Sequence, residues 1–139
     1  MSQSHEKFDL KITVSENDID ILNHVNNVTY LKWVQDAAVA HWNSAATKAQ
    51  KESIVWVVVR HEIDYKLQAV LGDELIVRTW VGVSAKNRFE RLTDIIRAHD
   101  GKLLASARTF WYPVDKLTHR PVRAGEDIIS MWSNNLLSV

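Results

Sequence analysis

The sequence predicts an α+β fold in which a five-stranded antiparallel sheet wraps around one long central helix. Residues 8–14 alternate between apolar and polar side chains, which is the period of a strand with one buried face. Residues from about 27 to 45 form an apolar stretch at helical spacing. The rest of the chain resembles four consecutive strands joined mainly by short turns, and such an order favours antiparallel pairing.

The predicted helix is apolar on most of its surface. Five residues follow helical spacing: Val28, Leu31, Val34, Ala38 and Trp42. Five more extend the apolar surface almost around the cylinder: Tyr30, Trp33, Ala37, Val39 and Ala40. Because a helix that is apolar on most sides is normally covered by other structure, we expect this one to be enclosed.

Turn residues separate the four later strands, which we place at 54–67, 74–83, 88–99 and 102–114. Gly72, Lys86-Asn87 and Asp100-Gly101 mark the turns between them. The strand at 54–67 is rich in β-branched residues and begins apolar on both faces, as a central strand would. A charged connector at 46–53 precedes it, and a short helix is predicted at 126–133.

Composition limits the classes of function. A chain of 139 residues predicts a single domain over 1–139. Seventeen basic and seventeen acidic residues cancel, so no overall charge favours nucleic acid or an anionic membrane. The lack of cysteine excludes disulfides, thiolate metal sites and cysteine nucleophiles, and it favours a cytoplasmic location.

No targeting or membrane segment is expected from the sequence, because residues 1–8 are polar and the longest apolar run, 54–59, is too short to span a bilayer.

One helix leaves the edges of the five-stranded sheet uncovered. Pairing between subunits would protect those edges, so we predict a homodimer or tetramer.

The most specific signal lies between the first strand and the helix, at 18–30. Asp20 is followed by three residues, by His-Val-Asn-Asn at 24–27 and, after two more, by Tyr30. This pattern resembles the signature of the 4-hydroxybenzoyl-CoA thioesterase-like group of hotdog-fold acyl thioesterases. The segments 63–75 and 114–122 also resemble the central strand, turn and tail of that group, so the resemblance covers nearly the whole chain.

The resemblance implies a hotdog fold and hydrolysis of an acyl-CoA or acyl-carrier thioester, with no metal and no organic cofactor. It assigns Asp20 as nucleophile or general base, both of which suit a carboxylate. His24 would orient the water or the carboxylate, or donate to the carbonyl. Unpaired amides at the start of the helix would bind the oxyanion. The resemblance also implies an active site shared between the Asp20 loop of one chain and the central strand of its neighbour.

Each of these residues also has a structural interpretation. An Asp before a helix is commonly a cap, and Asp18 competes with Asp20 for the catalytic role. Asn26 and Asn27 can cap the helix or position substrate. Tyr30 can pack or contact substrate. The tryptophans can pack in the core or at a subunit interface, and some can line an acyl pocket.

Two departures from the family pattern bear on the site. Asn23 stands where many relatives have Gly, and Asn tolerates the positive φ that Gly would supply. Plant acyl-carrier-protein thioesterases resemble the motif but have Asn at the position of Leu22 and a catalytic group near that of Gln68. Gln68 could position a water, and Asp64 is a candidate helper on the strand.

Coenzyme A would require cations near the pocket for its phosphates. Lys86 and Arg88 flank a hairpin turn and are the main candidates; the others are Arg60, Arg91 and Arg123. The alternatives to an acyl-CoA thioesterase are an acyl-carrier-protein thioesterase, a hotdog hydratase and a non-catalytic module that binds acyl thioesters. The His-Val-Asn-Asn segment argues against the hydratase.

Overall fold

The chain is described over residues 4–135 in a computed structural model, so the first three and last four residues of the predicted domain lie outside the described part. The strands are β1 Phe8–Thr13, β2 Ile54–Tyr65, β3 Glu74–Ala85, β4 Arg88–Arg97 and β5 Leu103–Asp115. The helices are α1 Asn27–Ala45, α2 Lys48–Ser53 and α3 Glu126–Trp132, and a 3₁₀ turn spans Glu16–Asp18.

The five strands form one antiparallel sheet in the order β1-β3-β4-β5-β2. Helix α1 packs on the sheet, and its buried residues, including Tyr30, Trp33 and Val34, join a core cluster with Leu75 and Ile95. The predicted sheet around one long helix is therefore confirmed, with α1 at the predicted bounds.

Two predictions about covered surfaces are wrong for the single chain. β2 is an edge strand rather than a central one, and the side chains of Val55 and Val59 are exposed on it. Helix α1 is buried along one face, whereas Val28 and Val39 are 70% and 51% exposed. A single chain thus leaves part of the apolar surface of β2 and α1 exposed to solvent.

The hairpin turns follow the local sequence closely. Lys86 and Asn87, between β3 and β4, have φ of 54° and 64°, so both adopt the left-handed conformation of a tight two-residue hairpin. Gly101 in the β4–β5 connection has φ of 71°, where glycine avoids the steric cost of a Cβ.

Helix α2 occupies the segment that the sequence analysis treats as a connector. The hydroxyl of Thr47 accepts from the Gln50 amide at 3.1 Å, and the Gln50 side-chain oxygen accepts from the Thr47 amide at 3.1 Å. This reciprocal pair is a capping box, and the Thr-x-x-Gln spacing at 47–50 is its sequence signal. Among the helices of residues 4–135, none is long and apolar enough to cross a membrane.

Candidate functional site

Asp20 lies in a tight loop between β1 and α1 that its own carboxylate holds closed. Oδ1 accepts from the Leu22 amide at 2.9 Å and from the His24 amide at 3.2 Å. The Asp20 amide donates to the His24 carbonyl at 2.8 Å, and the Asn23 amide donates to the Asp20 carbonyl at 3.1 Å. Asn23 has φ of 61°, which confirms that Asn supplies the positive φ expected there.

The second carboxylate oxygen of Asp20, Oδ2, receives no hydrogen bond from the described residues. Asp20 does not cap α1 either, because the N-cap is Asn26, whose Oδ1 accepts from the Val28 amide at 3.1 Å. The helix-cap interpretation therefore applies to Asn26, while Asp20 combines a loop-closing oxygen with an unengaged one.

Asp18, the competing carboxylate, is already engaged. Its Oδ2 accepts from both the amide and the hydroxyl of Ser15, at 2.9 and 3.2 Å, and caps the 3₁₀ turn. Its carbonyl accepts from the Asn26 amide at 2.9 Å. Asp18 therefore fixes the approach of the chain to the Asp20 loop.

The side chain of His24 is exposed, and within residues 4–135 no hydrogen bond joins its imidazole to the Asp20 carboxylate.

The start of α1 offers fewer free amides than the sequence suggests, because the Asn26 carbonyl accepts from the Thr29 amide at 2.8 Å. With Val28 and Thr29 engaged, the Asn27 N–H is the amide of this turn that receives no acceptor from the described part of the chain. It is the candidate oxyanion donor.

The end of β2 anchors this loop. The Tyr65 hydroxyl donates to the Asn27 carbonyl at 3.4 Å, and the Val25 amide donates to the Ala69 carbonyl at 3.4 Å. The Tyr30 hydroxyl accepts from the Ala69 amide at 3.0 Å, and the ring is 1% exposed. Burial raises the pKa of Tyr30. Tyr30 is thus a core residue that ties α1 to the segment after β2.

Asp64 and Gln68, the other candidates near this end of β2, are both exposed. Asp64 lies opposite Ser106 of β5 in the strand register. Gln68 is adjacent in sequence to Ala69, which bonds to the loop and to the helix. The structure therefore brings both residues to the end of the sheet that carries Asp20.

A separate aromatic cavity of about 370 Å³ lies at the opposite end of α1 and β2. Five large rings line it: Trp42, Trp56, Phe89, Trp111 and Trp132. Val39, also in the lining, is twelve residues beyond Asn27, which is roughly 18 Å along a helix. Within one chain, the cavity is therefore remote from the Asp20 loop.

Two lysines that the sequence analysis did not select border this cavity. The Lys51 ammonium donates to the Asn43 carbonyl at 3.1 Å, and the Lys116 ammonium donates to the Lys51 carbonyl at 3.3 Å. They come from α2 and from the end of β5, 65 residues apart. No sequence pattern joins them, because only the pairing of β2 with β5 brings them together.

The predicted phosphate-binding cations occupy different environments. Lys86 and Arg123 line one surface depression of about 450 Å³ beside the β3–β4 turn. The Arg88 guanidinium lies 4.6 Å from the centre of the Phe110 ring, and Arg60 pairs with Glu62 at 3.1 Å. Arg91 is 8% exposed, so this candidate lies buried in the cavity lining and not at the surface.

No cluster of three or more His, Asp or Glu side chains suited to a metal occurs among residues 4–135.

Outside the loop, the imidazole of His61 bonds to the Thr109 hydroxyl at 3.2 Å and to the Gln35 side-chain amide at 3.2 Å, and burial lowers the pKa of His61. The site geometry thus consists of a loop carboxylate, a free helix amide and a distant aromatic cavity.

A family model described as the thioesterase-like superfamily matches residues 14–130. A chloroplastic palmitoyl-acyl carrier protein thioesterase from Gossypium hirsutum is 28% identical over 72% of this chain, which corresponds to 26% of the plant protein. The chain thus spans about a quarter of the length of the curated relatives it matches.

Solved structures share the fold. A 1,4-dihydroxy-2-naphthoyl-CoA thioesterase from Synechocystis has a TM-score of 0.73 at 20% identity, over 86% of this chain and 90% of that one. An oleoyl thioesterase (putative) from Lactobacillus plantarum has a TM-score of 0.81 at 16% identity, over 94% of this chain and 52% of that one. The hotdog fold predicted from the sequence is confirmed by this similarity.

Proposed function

The chain belongs to the thioesterase-like superfamily, and from that membership we propose that it hydrolyses acyl thioesters to a carboxylic acid and a free thiol. Within the superfamily, we assign it to the 4-hydroxybenzoyl-CoA thioesterase-like group on the motif at 20–30. The observation that carries the proposal is the Asp20 loop, in which Oδ1 is fixed by two amides and Oδ2 is unengaged by the described residues.

The proposed chemistry requires a carboxylate and an oxyanion donor. As general base, Asp20 takes a proton from water while the oxygen of that water attacks the thioester carbonyl. As nucleophile, Asp20 attacks the carbonyl itself to form a mixed anhydride, which water then hydrolyses. In both routes the carbon–sulfur bond breaks and the thiolate acquires a proton. The Asn27 N–H would stabilise the negative charge on the carbonyl oxygen, and exposed His24 would orient the water.

A homodimer formed by antiparallel pairing of two β2 strands would complete the site. Val55 and Val59 expose apolar surface on this edge strand, and its backbone is open to pairing beyond β5. The Asp20 loop is attached at the Tyr65 end of β2, whereas the aromatic cavity lies at the Ile54 end. Antiparallel pairing places these opposite ends next to each other, so each cavity would face the partner's catalytic loop. A tetramer would be built from two such dimers.

Coenzyme A is the proposed thiol carrier because cations cluster at the cavity end of the sheet. Lys51 and Lys116 border the cavity, and Lys86 and Arg123 line the neighbouring depression, with Phe89 contributing to both. Phosphates would bind along this surface. Of the two cations beside the hairpin turn, Lys86 is the stronger candidate, since the Arg88 guanidinium stacks on the Phe110 ring. A cytoplasmic location accords with the absence of cysteine.

An acyl-carrier-protein thioesterase is the second candidate, supported by the partial match to the plant enzymes. The plant-type constellation is incomplete, because Leu22 replaces an amide side chain and is 71% exposed. The same departures support the third candidate, a non-catalytic module that binds acyl thioesters.

Thiol release separates these candidates. The full chain is incubated with a panel of acyl-CoAs and with the same acyl groups on acyl carrier protein. Preferred turnover of CoA esters supports the main proposal, and preferred turnover of the protein-bound esters supports the second. Binding of esters without release of thiol on either carrier would leave the non-catalytic module.

A further inference from the structure

The aromatic cavity contains a buried cation without an acidic partner. Arg91 lines the cavity, and its Nη1 donates to His41 Nδ1 at 2.9 Å and to Thr79 Oγ1 at 3.2 Å. None of the ion pairs among the described residues includes it. Burial lowers the pKa of Arg91 to about 10, so the guanidinium stays charged near neutral pH. A buried charge that lacks an opposite charge is destabilising unless another group compensates it.

Two further donors of the cavity are unsatisfied. The indole Nε1 atoms of Trp111 and Trp132 are buried, and neither has a hydrogen-bond partner among residues 4–135. Trp132 is 3% exposed, and both rings line the cavity. An indole N–H can only donate, and a buried one usually has an acceptor. Two unpaired indoles in one cavity therefore indicate a missing acceptor.

No described residue of the cavity lining accepts a hydrogen bond from either indole. Among its described lining residues, Glu90 is the one acid. The Glu90 carboxylate already accepts from the Arg108 guanidinium and, at 3.1 Å, from the Val83 amide. The cavity thus contains two unpaired indole donors and a buried guanidinium, while its one described acid is already engaged.

We propose that this cavity is the specificity site for acyl groups that have an apolar ring body and end in an oxygen acceptor, preferentially a carboxylate. Arg91 and the indole N–H groups of Trp111 and Trp132 would bind the terminal oxygen, and the rings would pack against the body. The cavity volume of about 370 Å³ compares with ~150 Å³ for a cavity that holds benzene. A body of about two fused rings therefore fits.

That the ligand is the acyl part of a thioester rests on the proposed function, but the chemistry of the cavity does not. Direct binding therefore tests the cavity without catalysis. Two probes of the same shape are titrated into the full chain by calorimetry: naphthalene-2-carboxylate, which has the acceptor, and 2-isopropenylnaphthalene, which lacks it. The carboxylate is expected to bind at least about tenfold more tightly, the scale of a hydrogen bond to a charged group.

Variants assign the preference to residues. Arg91→Met keeps an unbranched apolar side chain and removes the guanidinium with its charge, and it should bring the affinity ratio of the two probes close to one. Trp111→Phe removes one N–H and should reduce the ratio several-fold, which provides a second test if Arg91→Met does not fold. Arg120→Met removes an exposed arginine that is not in the cavity lining and should leave the ratio unchanged.

The same comparison extends to turnover. The monothioester of naphthalene-2,6-dicarboxylate with coenzyme A should have a higher kcat/KM than 2-naphthoyl-CoA, and Arg91→Met should abolish that advantage. Equal binding of the two free probes, or a preference that persists in both cavity variants, would overturn the inference. Selective binding without any thioester hydrolysis would instead reject the proposed function and leave the cavity assignment intact.

Discussion

Replacing Asp20 by Asn separates its proposed catalytic role from its role in the loop. The Asn side chain retains an oxygen that can accept from the Leu22 and His24 amides, as Oδ1 of Asp20 does at 2.9 and 3.2 Å. It lacks the negative charge and basicity that proton abstraction or nucleophilic attack requires. Asp20→Asn should therefore fold as the wild type does and lose turnover.

The structure sets the expected magnitudes. Asp20→Asn should change the free energy of unfolding by less than about 1 kcal/mol, since both amides keep an acceptor. Asp20→Ala leaves both without one, and two hydrogen bonds at about 0.5–1.5 kcal/mol each predict a loss of about 1–3 kcal/mol. Loss of a positioned base lowers the rate about a hundredfold or more, equivalent to about 2.7 kcal/mol in the activation free energy.

The assay combines thiol release from the best acyl-CoA of the panel with thermal unfolding of each variant. Asp18→Asn is the matched control, because Asp18 also accepts two bonds, both from Ser15, in the same segment. It should retain turnover within a few-fold of wild type. A folded Asp20→Asn protein with near-wild-type turnover would refute the catalytic assignment and transfer it to Asp18 or to the non-catalytic module.

Three further predictions address the assembly, the phosphate site and the helix cap. Val59→Glu on the exposed edge of β2 should convert a dimer to monomer in sedimentation, while Leu117→Glu, at a site that is 90% exposed elsewhere, should not; a wild type that is monomeric at micromolar concentration would contradict the shared site. Lys86→Ala or Arg88→Ala should raise the KM for acyl-CoA more at low salt than at high salt, because salt screens exposed charges, and unchanged KM values would exclude that residue. Asn26→Ala removes the side-chain cap of α1 and should cost about 1 kcal/mol by denaturant unfolding, and an unchanged midpoint would show that the cap is not stabilising.

Local chemistry accounts for the features that could be predicted from sequence. The two-residue period identifies β1, the apolar helical spacing identifies α1, and the turns at 86–87 and 100–101 separate the later strands. Each signal depends on neighbours within a few residues, so the sequence contains it directly. The capping box at 47–50 is a signal of the same kind that the interpretation of this segment as a connector missed.

The conformation of the Asp20 loop was only partly predictable. Its position before α1 and the positive φ of Asn23 follow from the motif and from the conformational tolerance of Asn. The motif does not show which backbone amide each polar side chain binds. Asp18, Asp20 and Asn26 are all residues that cap turns and helices, and only the backbone path decides which amide each one reaches.

The five strands, the long helix, their order and the carboxylate-bearing loop could be predicted from the amino-acid pattern, because these features depend on periodicity and on short-range hydrogen bonding. The edge position of β2 and the burial of Arg91 became visible only in the folded chain. The same holds for the aromatic cavity, which residues from α1, β2, β4, β5 and α3 line. Alternation along a strand shows which side chains share a face, whereas burial depends on which distant segment covers that face.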